Sequence, residues 1–208
     1  MSVERDEAGP RVCRSEAEAQ REALILGQPA RIPPPGEITA EMRALAAAPP
    51  GFADEMPGNY AILLHAPELL RLYRPLGTYF LSEGALGPRE RELVILRVGW
   101  LCGAPYEWGE HVALGRMIGL TTEDIERVTH GAAAPGWSVQ DGAILRAVEE
   151  LFAGAMISDA TWEILASTLS AQQLVELPLL VSQYQGLAYF LNSMRVPLRP
   201  SNPGLAAR

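Results

Sequence analysis

The sequence predicts an all-α protein, and three observations support this class. From residue 59 onward, apolar residues recur at spacings of three and four, as they do on one face of a helix. Serine, threonine and proline residues stand where these segments begin, as helix caps and first-turn prolines do. No segment alternates apolar and polar residues in the way that a half-buried strand does.

Proline and glycine breaks divide the periodic region into predicted helices. Proline opens three of them, and Thr122, Ser138, Ser158 and Ser170 are the predicted N-caps of four others. The predicted helices cover residues 39–48, 60–65, 67–82, 88–101, 105–119, 122–128, 138–154, 158–168 and 170–191.

Composition divides the chain into an arm, a body and a tail. Residues 1–37 are rich in charge, proline and glycine, and we predict an extended arm that lies on the body or on a neighbouring subunit. Residues 38–196 carry the helical pattern and are predicted to fold as one domain. Residues 197–208 contain three prolines and are predicted to form a C-terminal tail.

Charge and composition argue against several classes of protein. A net charge of −8 and a pI of about 5.0 argue against a nucleic-acid partner, which requires a clustered basic surface. No run of about 18 apolar residues is present, so we expect no membrane partner. The N-terminal residues lack the pattern of a signal peptide, and we predict a cytoplasmic location. Two cysteines as distant as Cys13 and Cys102 do not form a disulfide framework.

The segment from Glu90 to Gly119 is the most informative part of the chain. It places Glu92 in a helix that is otherwise apolar almost all round, and such a helix is expected at the centre of a bundle. Glu107 and His111 follow one helical turn apart, after the break Gly103-Ala104-Pro105. Charged groups are costly to bury unless they are paired. The segment therefore predicts a small polar site in an apolar helical wall.

An antiparallel hairpin of these two helices would bring Glu92 opposite His111. A carboxylate that orients an imidazole is a proton-transfer unit, and histidine titrates near physiological pH. The alternative is structural, because Glu and His at helical spacing are common on helix surfaces, where such a pair contributes only ~0.2–0.5 kcal/mol. Glu107 and His111 could also share a metal ion, but no second histidine, aspartate cluster or Cys-x-x-Cys motif stands nearby. We predict no metal and no cofactor.

The segment resembles the carboxymuconolactone decarboxylase family, which includes the AhpD-type alkylhydroperoxidases. Redox members of this family carry a glutamate, eleven residues, Cys-x-x-Cys, three residues and a histidine. With the histidine placed at His111, the glutamate is Glu92, and the two cysteine positions fall on Ala104 and Glu107. The run from Tyr106 to the histidine, Tyr-Glu-Trp-x-x-His, is typical of a branch that lacks both thiols.

The resemblance covers roughly residues 38–200 and implies an AhpD-like helical bundle with a helix-hairpin core. It also implies homo-oligomers (dimers, trimers or hexamers) whose sites lie near subunit contacts. By position, Glu92 and His111 would form the proton relay, without the dithiol mechanism of the redox members. The expected protein is a cofactor-free enzyme of lyase or isomerase type that acts on a small lactone, organic acid or enolisable carbonyl compound.

Further residues of the expected site are assigned from their place in the segment. Glu107 would add a charge or a hydrogen bond, and Arg97 or Arg116 could stabilise a substrate carboxylate. The residues expected to bind or enclose the substrate are Tyr106, Trp108, Trp100, Tyr184 and Cys102. Two other functions stay open: a peroxidase that uses Cys102, and an oligomeric binding module that has lost catalysis.

Overall fold

The computed structural model describes residues 16–48 and 56–208. These parts of the chain form a helical bundle without strands, so the predicted all-α class is confirmed. No helix in them is long and apolar enough to cross a membrane. The helices are α1 (Glu16–Leu26), α2 (Ala40–Leu45), α3 (Gly58–Leu63), α4 (Pro67–Ser82), α5 (Pro88–Leu101), α6 (Pro105–Met117), α7 (Thr122–His130), α8 (Val139–Gly154), α9 (Asp159–Thr168) and α10 (Ala171–Met194).

Side-chain caps begin the last four helices. Ser138, Ser158 and Ser170 accept hydrogen bonds from backbone amides in the first turns of α8, α9 and α10, as their positions predict. The cap of α7 is Thr121 rather than the predicted Thr122. The extended backbone of Thr121 lets its hydroxyl reach the third amide of the helix, and the two side chains complete a capping box.

The described parts of the predicted arm and tail are more structured than the sequence pattern predicts. The segment predicted as an extended arm contains α1, whose Ile25 is buried, although residues 1–15 of that arm lie outside the described residues. The predicted tail folds against the body, where Asn202, Leu205 and Ala207 are buried. These contacts involve partners distant in sequence, which a local pattern does not reveal. The division of the chain at residues 37 and 196 stays a prediction.

Helix α5 lies at the centre of the bundle, as its all-round apolar composition predicts. Val94 and Ile95 pack into one cluster with α8 and α10, while Leu93 and Leu96 pack into a second with α6 and α7. All four side chains are fully buried. Burial of one such side chain contributes about 1.5–3 kcal/mol to the free energy of unfolding. Helix α5 is therefore a major source of stability for both clusters.

Helices α5 and α6 form the predicted hairpin through a tight turn. Gly103 in this turn has φ +53°, a left-handed conformation that glycine adopts readily. The helices approach closely at Gly99, where an added Cβ would lie 3.3 Å from a carboxyl oxygen of Glu107. The hairpin therefore presses the first turn of α6 against α5.

Candidate active site

Glu92 and His111 form a buried hydrogen-bonded pair between α5 and α6. Nδ1 of His111 lies 2.8 Å from Oε2 of Glu92, and both side chains are almost completely enclosed. Arg91 Nε donates to the other carboxyl oxygen of Glu92 at 3.0 Å. The contact that the hairpin predicts is therefore present, with a guanidinium as a further partner.

These partners favour the charged form of Glu92. Burial raises the pKa of Glu92, but the His111 ring and the Arg91 guanidinium lower it, and the net pKa lies below its ordinary value of 4.5. The carboxylate is therefore ionised at neutral pH. An ionised carboxylate at Nδ1 favours the tautomer with its proton on that atom and leaves Nε2 free to act as a base.

His111 lines a cavity that lies between α3 and α4 on one side and α6 and α10 on the other. The cavity has a volume of ≈ 70 Å³, so a ligand as large as benzene, which occupies a cavity of about 150 Å³, would widen it on binding. A mostly apolar, concave wall with a few convergent polar groups is the usual form of a ligand site. The apolar part of its wall contains Pro57, Leu81, Leu187 and Leu191. The polar part contains Asn59, Tyr60, Tyr73, Arg74, Tyr106, Glu107, Glu110, His111, Gln183 and Tyr184.

Glu107 differs from Glu92 because it has no hydrogen-bond partner. Its residue surface is 2% exposed, and neither carboxyl oxygen meets a donor in the described parts of the chain. Burial raises the pKa of Glu107 well above 4.5 and so favours the neutral acid. The pKa values of two buried glutamates of one site are thus shifted in opposite directions, an arrangement that separates the roles of acid and base.

Tyrosine hydroxyls add hydrogen-bond donors to the cavity wall. Tyr184 packs edge-on against His111, with the ring centroids 5.1 Å apart. Burial raises the pKa of Tyr184 well above 10, and the negative charges of Glu92 and of ionised Glu107 act in the same direction. Burial, Glu107 and a neighbouring tyrosine raise the pKa of Tyr73 to about 12, although a hydrogen bond to Gln183 opposes them. Both hydroxyls therefore keep their protons at neutral pH.

The described residues offer imidazole, carboxyl and hydroxyl groups rather than a cluster of metal ligands. Within residues 16–48 and 56–208, no three His, Cys, Asp or Glu side chains are placed to hold one ion. The groups that do line the cavity can transfer protons and donate hydrogen bonds.

Residues 67–150, from α4 into α8, match the model of the carboxymuconolactone decarboxylase family. This match covers less than half of the chain, and the fold of the whole bundle is AhpD-like. The matched residues of this AhpD-like protein include Glu92, Glu107 and His111. No curated protein matches the chain by sequence.

Several solved structures share the AhpD-like fold. A peroxidase-related protein from Ralstonia eutropha JMP134 with an alkylhydroperoxidase AhpD core has a TM-score of 0.72 and 16% identity, over 83% of this chain and 94% of its own. A peroxidase-related protein from Silicibacter sp. TM1040 has a TM-score of 0.62 and 14% identity, over 68% and 76%. The debrominase Bmp8 has a TM-score of 0.60 and 11% identity, over 91% of both chains. A cysteine-to-alanine variant of that debrominase has been crystallised with 2,3,4-tribromopyrrole.

The chain has Ala104 and Glu107 where redox members of the carboxymuconolactone decarboxylase family carry their two thiols. Cys102, the free cysteine of the described residues, does not line the cavity and instead borders a separate depression beside Arg21 and Trp100. Burial and the negative charge of Glu107, once that carboxyl is ionised, raise the pKa of Cys102 to about 12, although Arg21 lowers it in part. The thiolate is the reactive form of cysteine, so Cys102 is poorly suited to nucleophilic chemistry.

Two tryptophans that were expected to enclose a substrate pack in the core of the bundle. Trp108 is fully buried, donates from Nε1 to the carbonyl oxygen of Ala207 at 3.0 Å, and lies 4.8 Å from Trp100 between ring centroids. The cavity is lined by Tyr106 and Tyr184 but by neither tryptophan. Neighbours on a helix point in different directions, so a place in the segment does not determine which residues face the cavity.

Arg97 and Arg116, the two arginines expected to stabilise a substrate carboxylate, do not line this cavity. Arg97 bonds to two carbonyl oxygens at the end of α7 and pairs with Glu149 at 2.8 Å. Arg116 donates to Thr122 at 3.1 Å in an exposed contact. The described arginine in the cavity wall is Arg74 of α4.

One wall of the cavity could not be inferred from the segment around residue 100. Tyr60, Tyr73 and Arg74 reach the cavity from α3 and α4, and Gln183 reaches it from α10. Their signal in the sequence is weak, because a tyrosine in a periodic segment indicates packing as readily as binding.

The C-terminal segment supports α6 of the AhpD-like bundle. Asn202 Nδ2 donates to Glu110 Oε1 at 2.8 Å and to the carbonyl oxygen of Tyr106 at 3.1 Å. Arg199 pairs with the same Glu110 carboxylate at 2.9 Å. Gly109 permits this approach, because an added Cβ would lie 1.8 Å from Asn202 Oδ1. The predicted tail therefore fixes the helix that carries the histidine.

Proposed function

We propose that this AhpD-like protein is a cofactor-free acid/base enzyme of lyase or isomerase type. Its substrate is a small lactone, organic acid or enolisable carbonyl compound. The observation that carries the proposal is the 2.8 Å contact between Glu92 and His111. Of these two residues, His111 also lines the cavity. An imidazole that a carboxylate holds in place at the wall of a small cavity is a general base with a defined orientation.

In the proposed reaction, His111 removes a proton from a carbon next to a carbonyl group. The C–H bond breaks, its proton goes to Nε2, and its electron pair moves to the carbonyl oxygen to give an enolate. Glu92 stabilises the resulting imidazolium by its negative charge. Return of the proton to another carbon completes an isomerisation. In a lyase reaction, the C–C bond to a substrate carboxylate breaks instead and carbon dioxide leaves. The carbon that retains the electron pair then takes a proton from Nε2 of His111, which first receives that proton from solvent.

Deuterium exchange tests the proposed base whatever the final product of the reaction is. The purified protein is incubated in deuterium oxide with a panel of small lactones, keto acids and ketones, and incorporation is followed by NMR and mass spectrometry. We expect exchange or turnover of at least one compound, and a loss of about 10²–10⁴-fold in His111→Ala, as for removal of a general base. His130→Ala, at an exposed histidine outside the cavity, is the matched control. Equal rates in wild type and His111→Ala would contradict the proposed role.

The two alternative functions, a peroxidase that uses Cys102 and a binding module without catalysis, have less support from the geometry of the site. Peroxidase activity through Cys102 requires a thiolate, and burial opposes its formation. A binding module without catalysis predicts a cavity without convergent polar groups, whereas Glu107 and His111 both line this one. Consumption of peroxide by wild type but not by Cys102→Ser would favour the peroxidase.

We also propose a homo-oligomer in the cytoplasm, with the substrate as its small-molecule partner. Exposed leucines on one face of α4 support self-association, since large exposed apolar patches mark interaction surfaces.

A further inference from the structure

Glu107 has a property that packing alone does not explain. Its side chain is enclosed on α6, against Gly99 of α5, yet both carboxyl oxygens lack a partner in the described parts of the chain. A buried polar group without a partner costs about 1–3 kcal/mol, so such groups are uncommon and are explained by strain, a catalytic role, or a bound water or ion. Because Glu107 lines the cavity, a bound molecule is the natural partner.

Tyr184 offers a second donor in the same wall. Its ring is packed edge-on against His111, and its hydroxyl forms no hydrogen bond with the described residues. The neutral carboxyl of Glu107 and the phenol of Tyr184 each have one O–H to donate. Both lie in a cavity whose apolar wall strengthens hydrogen bonds to a charged acceptor.

We infer that Glu107 and Tyr184 form an oxyanion-binding pair, and that the cavity selects compounds that carry or develop an enolate or phenolate oxygen. This inference rests on the proposed function and names its substrate class. A carboxylic acid kept neutral by an apolar site can donate a hydrogen bond to an oxyanion, and a tyrosine beside it adds a second.

The pair complements the base on the same wall. When His111 removes a carbon-bound proton, the electron pair moves to the substrate oxygen, where Glu107 and Tyr184 donate to the new negative charge. Donors that are in place before the charge develops lower the barrier without reorganisation. An ionised carboxylate at this position would repel the enolate. The burial of Glu107, which favours the neutral acid, is therefore essential to oxyanion binding.

Substituted phenols test this inference, because a phenolate mimics an enolate in shape and charge. The wild-type protein is titrated with phenol, 4-chlorophenol and 4-nitrophenol by calorimetry. We expect affinity to rise with the acidity of the phenol, and 4-nitrophenol to show its phenolate absorption when bound at a pH below its own pKa. Wild type that binds no phenol, or binds all three equally, would overturn the inference.

Variants then assign the donors. Glu107→Leu should weaken 4-nitrophenol binding about 10- to 100-fold, as expected for loss of a hydrogen bond to a charged group. Glu107→Gln preserves size and a donor, so it should weaken binding about two- to tenfold even if the leucine variant fails to fold. Tyr184→Phe should also weaken binding. Glu163→Gln, at an exposed glutamate of α9, is the control for the same chemical change and should bind as wild type does.

His111→Ala separates this inference from the proposed function. It removes the base but leaves both donors, so it should retain phenolate binding within about threefold while any proton exchange is lost. Proton exchange without phenolate binding would reject the oxyanion pair alone. Phenolate binding without any exchange would reject the base alone. Unchanged binding in Glu107→Gln and Tyr184→Phe would overturn the assignment of the pair.

Discussion

His111 Nδ1 lies 2.8 Å from Oε2 of Glu92, a residue nineteen positions earlier in the chain. The hairpin of α5 and α6 makes this contact, and the central position of α5 keeps it away from solvent. Because Nδ1 is hydrogen-bonded to the Glu92 carboxylate, this bond fixes the orientation of the whole ring and therefore the position of Nε2. The hairpin of α5 and α6 thus favours one tautomer of His111 and fixes the orientation of its ring.

We predict that Glu92→Gln loses stability in a pH-dependent manner. The pKa of Glu92 in the folded protein is lower than its ordinary 4.5, so its stabilising effect is present above that pH and is lost as the pH falls through the folded pKa. At pH 7 the variant should lose about 1.5–3 kcal/mol of unfolding free energy, the range for hydrogen bonds to charged groups. Urea unfolding at pH 7 and pH 4 measures the difference. A difference of equal size at both values would contradict the prediction, and Glu163→Gln is the control.

Glu107→Gln should show the opposite dependence on pH. The pKa of Glu107 is raised by burial, so the folded state binds its proton more tightly than the unfolded state does. The contribution of Glu107 to the unfolding free energy of wild type therefore falls as the pH rises above 4.5, whereas a glutamine at this position does not titrate. We expect the unfolding free energy of the variant to rise relative to that of wild type between pH 5 and pH 8. Thermal and urea unfolding at the two pH values measure it, and a constant difference would refute it.

The contact of the C-terminal segment with α6 predicts a specific coupling. Gly109→Ala introduces a Cβ 1.8 Å from Asn202 Oδ1, so the segment must move, at a cost of about 1–3 kcal/mol. Asn202→Gly removes the obstructing side chain, and the double variant should recover part of the loss caused by the alanine. A double-mutant cycle of unfolding free energies measures this coupling. Strictly additive effects would show that the two residues do not meet.

The helices and their caps could be predicted from sequence because their determinants are local. Proline at the start of α4, α5 and α6, and serine before the last three helices, are signals within a few residues of the element they begin. Glu92 and His111 could be paired because hairpin geometry and family spacing agree. The tail could not be predicted, because the partners of Asn202 and Ala207 lie about 100 positions away.

Most cavity residues on α6 could be predicted from the sequence, but most of those on the other helices could not. Periodicity shows that a residue lies on a helix face but not which distant helix covers that face. Trp108 and Glu107 are adjacent in sequence, yet the first packs in the core and the second lines the cavity. Tyr73 and Arg74 belong to α4, whose place opposite α6 is a property of the whole bundle.

Self-association through α4 is a further prediction. Leu69, Leu72 and Leu76 lie on one face of this helix, and Leu72 is 79% exposed. We expect a second copy of the chain to cover this face, so that Leu72→Glu lowers the mass in solution by at least one protomer. Size-exclusion chromatography with light scattering measures this mass. Met117→Glu, at an exposed residue of α6, is the control, and a monomeric wild type would contradict the prediction.

The reactivity of Cys102 separates the proton-transfer proposal from the thiol alternative. A pKa of about 12 leaves roughly one thiol in 10⁴ ionised at pH 8, so a buried Cys102 should react very slowly with a disulfide reagent. In a Cys13→Ser background, which leaves one thiol, we expect native protein to react at least about 100-fold more slowly than protein unfolded in urea. The rate is followed by absorbance after addition of Ellman's reagent. Fast reaction in the native state, together with peroxide consumption that Cys102→Ser abolishes, would favour the peroxidase. Slow reaction would leave His111 as the better candidate for chemistry at this site.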